Sequence, residues 1–237
     1  MATNTLPWAL LVLTFLCCHG RISGQQPPRY PVNMTQVTLT GGAHNKSFPI
    51  LIYYPVVNAT HPEGSANTSF PLIVFTHCLF GADVWYDYLV QALVPTGYIF
   101  ASNGAYDYFV SNPEDMATDS LLMRDAVYNM SRDPKSFLFK MVSSQVGLAG
   151  HSLGGMASLL MAEDPTNFTS VLTLSTCFEK DTRRIHIPAF LLTGTQDCIC
   201  PPTINDSPVY GAIQSSCKIL ANLHNATHCG YVRLGLT

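Results

Sequence analysis

Residues 149–155 read AGHSLGG, set between SSQVGL and MASLLMAED. The first flank is a short apolar run of strand length, and the second carries apolar residues at helical spacing. A serine between glycines at that handover predicts a tight turn from strand to helix. Gly150, His151, Ser152, Leu153 and Gly154 fit G-x-S-x-G, the pattern of a nucleophile elbow. Such a turn is strained, so the side chains two residues either side of the serine must be tiny. Gly155 eases the following helix against its sheet. A serine that merely caps a helix accounts for Ser152 but not for glycines on both sides. The helix N-terminus also aims backbone N–H groups at the site, which favours developing negative charge.

Outward from this turn, strands and helices alternate. FPLIVFTHC (70–78), YIFAS (98–102), QVGLAG (145–150), FTSVLTLSTC (168–177), IPAFLLTG (187–194) and KILANL (218–223) read as strands. DVWYDYLVQALVPTG (83–97), MATDSLLMRDAVYNMSRD (116–133), GGMASLLMAED (154–164) and VYGAIQSSC (209–217) read as helices. Two earlier strands, QVTLTG (36–41) and FPILIYYPV (48–56), flank the turn signals Gly41 and Gly42. The alternation predicts an α/β fold with a mostly parallel sheet and helices on both faces. Only about ten residues separate STC from IPAFLLTG, too few for a large cap domain. Ligands of such sheets bind at the carboxyl ends of the strands.

A serine is nucleophilic at neutral pH only beside a base, and the base needs an orienting acid. On this type of fold the chain order is serine, acid, histidine. Asp197 follows IPAFLLTG, and His224 and His228 follow KILANL. His228 is the better base, because it lies in a loop ahead of Gly230 while His224 sits closer to the strand end. Glu179 and Asp181 come before the strand that should deliver the acid. An oxyanion site needs two N–H donors: one from Leu153, the other from the loop HCLFG, His77 to Gly81.

FPLIVFTHCLFG, GHSLGG, LLTGTQD and ATHCGY, in that order, resemble the α/β-hydrolase superfamily from about Pro49 to Gly230. The nearest neighbourhood is that of chlorophyllases and dienelactone-hydrolase-like esterases, which includes platelet-activating-factor acetylhydrolases and polyester hydrolases. The resemblance implies Ser152 as nucleophile, Asp197 as acid, His228 as base, and oxyanion N–H groups from Leu79 and Leu153. It implies hydrolysis of a small-molecule or lipid-like ester, with a bulky or apolar group, through an acyl-enzyme, with no metal and no cofactor. An amidase would use the same triad. Two departures stand out: Cys78 replaces the glycine of the usual H-G-x oxyanion loop, and only CGYVRLGLT follows His228, where a final helix is usual.

The remaining features concern the compartment. WALLVLTFLCC (8–18) is too short to span a bilayer as a helix and is followed by small residues, so residues 1–24 read as a secretory signal peptide and 25–237 as one domain. A retained anchor is the alternative. Asn33, Asn45, Asn58, Asn67, Asn129, Asn167, Asn205 and Asn225 each open an N-x-S/T sequon, predicting surface glycosylation sites. Beyond the signal segment, Cys78, Cys177, Cys198, Cys200, Cys217 and Cys229 form an even set, as a secreted protein with disulfides has. If Asp197 and His228 meet, a Cys198–Cys229 disulfide would tie their loops, and Cys78 could pair with Cys177. Cys198 and Cys200 are spaced C-x-C, which matches neither zinc nor thioredoxin-like spacing. The 237 residues are 47% hydrophobic and 11% charged with a net charge of −3, which gives nucleic acid no basic surface to bind. The second reading of the whole is a secreted binding glycoprotein on a hydrolase fold without activity.

Overall fold

The computed structural model describes residues 29–43, 45–57, 68–104, 112–177 and 180–233. An eight-stranded sheet runs in the order β1-β2-β4-β3-β5-β6-β7-β8. The strands are β1 (Val32–Gly41), β2 (Lys46–Pro55), β3 (Phe70–Thr76), β4 (Ile99–Asn103), β5 (Val142–His151), β6 (Ser170–Leu174), β7 (Ala189–Gly194) and β8 (Lys218–Leu223). β2 is antiparallel to both its neighbours, and every other pairing is parallel. The helices are α1 (Asp87–Leu93), α2 (Pro113–Arg132), α3 (Leu153–Met161) and α4 (Asp206–Ala212).

Because successive strand residues face opposite ways, each apolar run feeds two cores. Leu72, Val74, Leu148, Val171 and Leu191 pack with Met123 and Val127 of α2, Leu159 of α3 and Val209 of α4. Phe75, Phe100, Leu174, Phe190 and Leu192 pack on the other face with Leu89 and Leu93 of α1 and with Tyr231. This is the doubly covered sheet that the unbroken runs predict. The second face is the thinner one. Beside α1 a groove of about 230 Å³ is lined by Ile73, Leu172 and Phe190, and among the described residues no helix follows His228–Tyr231, a single 3-10 turn.

The helices differ from their sequence reading at their ends: α2 begins three residues earlier, at Pro113, and α3 stops three residues sooner, at Met161. The stretch 83–97 divides into a 3-10 turn (Asp83–Tyr86), α1, and a second 3-10 turn (Val94–Thr96) that Pro95 and the left-handed Gly97 bring to an end. α4 starts three residues earlier than expected, because Pro208 falls in its first turn, where a missing N–H costs nothing. Residues 1–24, read as a signal peptide, lie outside the described residues. No helix among the described residues is long and apolar enough to cross a membrane.

Candidate active site

Ser152 stands between β5 and α3 at φ 56°, ψ −119°, a conformation that costs a non-glycine residue on the order of 1–3 kcal/mol. Surrounding packing leaves no relaxed alternative. A Cβ on Gly150 would overlap the Gly154 carbonyl, and one on Gly154 would overlap the carbonyls of Thr76 and His77. The serine N–H donates to Leu174 O at 2.9 Å, anchoring the turn to the end of β6. The close approach of Gly154 to Thr76 and His77 sets the N-terminus of α3 directly against the loop after β3.

The Ser152 hydroxyl donates to His228 Nε2 at 2.9 Å, and His228 Nδ1 donates to Asp197 Oδ2 at 2.9 Å. Asp197 is 4% exposed and His228 7%, so water does not dilute the pair. The other carboxylate oxygen, Oδ1, accepts the N–H groups of Ile199 and Cys200 at 2.9 and 2.7 Å. Burial works against ionisation of Asp197, but the Cys200 N–H and the His228 ring outweigh it and hold the carboxyl below its ordinary range. Of the rival acids, Asp181 is exposed and pairs with Arg183 at 2.6 Å, and Glu179 lies outside the described residues. His224 is exposed.

Leu153 is the first residue of α3, so its N–H has no acceptor within the helix. Leu79 lies in a tight turn closed by Gly81 N–H to Cys78 O at 2.9 Å. The Cys78 N–H is already used, donating to the Tyr86 hydroxyl at 3.3 Å.

The cysteine pairing corrects the sequence reading. Cys177 bonds to Cys200, while Cys78, Cys198 and Cys229 are free. Asp197 and His228 point inward, so the next residue along each loop points to solvent, and Cys198 and Cys229 are exposed. Cys200 is fully buried instead, because its N–H turns in to reach Asp197. Cys78 is half-buried, and burial pushes its thiol up. Asp197, Cys200 and His228 lie within 4.8 Å of one another, but the disulfide occupies the sulfur and the carboxylate is committed to the imidazole. They do not form a metal-ligand set.

Of the sequons, Asn33, Asn45, Asn129, Asn167 and Asn225 are exposed; Asn58 and Asn67 lie outside the described residues. Asn205 is the exception. It is 7% exposed, caps α4 and donates its amide to Pro201 O at 3.1 Å, so it offers no surface acceptor in the folded chain. His151 enters the sequence reading only as a member of the elbow and Tyr86 not at all, yet both are buried, with His151 against His228 and Tyr86 against His151. An aromatic in DVWYDYLV reads as core, and the variable position of G-x-S-x-G carries no signal of its own.

The strand order, the elbow and the hydrogen-bonded row define an α/β-hydrolase fold. The chain belongs to the PET hydrolase-like family, whose sequence model matches residues 93–233. It is also 31% identical over 88 residues to cutinase est1 of Thermobifida alba, a match covering 36% of this chain and 30% of that protein.

Proposed function

We propose that this chain is a secreted serine hydrolase that cleaves carboxylic esters carrying a bulky or apolar group. The observation that carries the proposal is the continuous row from Ser152 through His228 to Asp197, two hydrogen bonds of 2.9 Å each. Ser152 Oγ attacks the ester carbonyl carbon as its proton passes to His228 Nε2. Asp197 fixes the tautomer and stabilises the imidazolium. The oxyanion is met by the N–H groups of Leu153 and Leu79. Collapse sends the proton from Nε2 to the departing alkoxide and leaves an acyl-serine, which a water deprotonated by His228 then hydrolyses.

The rim supports the substrate class. Leu79, Phe80, Val84, Ile199 and Ile204 are among the exposed large apolar side chains; Leu79 and Phe80 lie in the loop of the oxyanion donor, Val84 in the 3-10 turn that follows it, and Ile199 and Ile204 in the segment after the acid. Residues 175–188, which join β6 to β7, are too few for a cap domain. An open apolar mouth suits a bulky ester. Secretion is supported by the Cys177–Cys200 disulfide, which needs an oxidising compartment, and by the exposed sequons.

A fluorophosphonate probe tests the proposal. The folded protein is expected to be labelled and Ser152→Ala not. A folded wild type that takes no label would leave only the binding-protein reading.

A further inference from the structure

Two buried polar side chains beside the triad have no part in these steps. Tyr86, fully buried, ends the 3-10 turn before α1, and His151, 1% exposed, immediately precedes Ser152. His151 Nε2 lies 3.1 Å from the carbonyl oxygen of His228, and His151 Nδ1 lies 2.8 Å from the Tyr86 hydroxyl. A carbonyl only accepts, so Nε2 carries the proton and Nδ1 the lone pair. The Tyr86 O–H therefore donates to Nδ1, and its oxygen accepts the Cys78 N–H. Every proton in the row is thus placed by one acceptor-only group. The row runs from the backbone of the turn after β3 to the backbone of His228 and passes behind Ser152.

We propose that Tyr86 and His151 are positioning residues, a buried strut that fixes the oxyanion turn and the general base relative to each other across Ser152. The inference rests on the esterase reading for its kinetic consequence. Neither joined segment is a strand or an α-helix. One is the tight turn Cys78–Gly81 and the other the single 3-10 turn His228–Tyr231, and neither has a ladder of its own to hold it. Sub-ångström placement of base and donors is what such chemistry requires. The strut also has the right charge. Burial, with the nearby His228 ring, pushes His151 down to about 3, so it stays neutral when His228, 5.1 Å away between centroids, takes the serine proton. Asp197, His77, Tyr86 and Tyr231 are the other titratable groups facing it. A pair that merely fills the core would govern stability and leave turnover per competent site alone.

The test compares the secreted wild type with Tyr86→Phe, His151→Ala and His151→Gln on p-nitrophenyl butyrate, with kcat expressed per serine titrated by fluorophosphonate. Tyr86→Phe, which keeps the ring and its packing, is expected to lower kcat about 10-fold with KM changed less than about twofold. His151→Ala falls further. His151→Gln, whose amide can still donate to the His228 carbonyl, recovers part of the loss. Nitrogen NMR of histidine-labelled protein is expected to show His151 as the neutral Nε2–H tautomer from about pH 5 to 8. Unchanged kcat per titrated serine in Tyr86→Phe, or the Nδ1–H tautomer at His151, overturns the strut. A wild type that neither labels nor turns over defeats the esterase reading instead. The tautomer, and whether Tyr86→Phe shifts the His228 resonances, still decides the strut in that case.

Discussion

Asp197 and Asp206 lie in one corner of the molecule, are both buried, and meet opposite fates. Asp197 accepts two backbone N–H groups and an imidazole, and its charge is stabilised. Asp206 opens α4 at 1% exposure, and burial, with Asp197 adding to it, pushes its carboxyl up to about 6. An aspartate in the unfolded chain ionises near pH ~3.9. Between these values the folded chain holds a proton that the unfolded chain has released, so stability falls as pH rises through the window. Above it the loss is complete, on the order of 3 kcal/mol. Asp206→Asn should therefore stabilise the protein by about that much at neutral pH and by almost nothing below about pH 4, measured by urea unfolding at both. An equal gain at both pH values would show that charge is not the cause. Ser152, Asp197 and His228 could be picked out as candidates because they follow successive strands in a fixed order, and the fold brings their side chains into one hydrogen-bonded row. Nothing in NDSP singles out Asp206, whose burial comes from α4 tucking its first turn inward.

At the scale of elements, the acid turn is the part held from outside itself. Its carboxylate depends on the Cys200 N–H, and Cys200 is bonded to Cys177 in the loop after β6, 23 residues away in sequence. Closing a loop of that length contributes about 3 kcal/mol in the chain-entropy account. Replacing Cys177 and Cys200 together by serine is expected to cost about that much. Mild reductant should lower ester turnover before circular dichroism reports any loss of the sheet. Activity that persists until the sheet melts would show that the bond does not brace Asp197. The even cysteine count pointed to disulfides, but the pairing was illegible. It depends on which way each side chain faces, and the neighbours of inward-pointing Asp197 and His228 face out.

Across the whole molecule, the two faces of the sheet are unequally covered. The six elements read from β5 to β8 keep their order, and five of the six sequence-read parallel strands stop within two residues of their observed C-terminal ends, because apolar runs between turn residues are direct evidence of doubly buried strands. What the periodicity could not supply was how well each face is covered. Leu191 is fully buried toward α2 and α3, while Leu172 borders the groove and is half-buried. Leu191→Ala should cost about 3 kcal/mol and Leu172→Ala about 1 kcal/mol in urea unfolding; equal losses would mean that the second face is as well packed as the first. Asn225 carries one last consequence. It is exposed, its backbone is left-handed at φ 57°, and it stands three residues before the buried His228. An oligosaccharide there would act as a sieve at the doorway, indifferent to small esters and obstructive to long chains. Protein from a host that does not glycosylate would then accept a wider range of molecular sizes than a form carrying that oligosaccharide, with its chemistry unaltered.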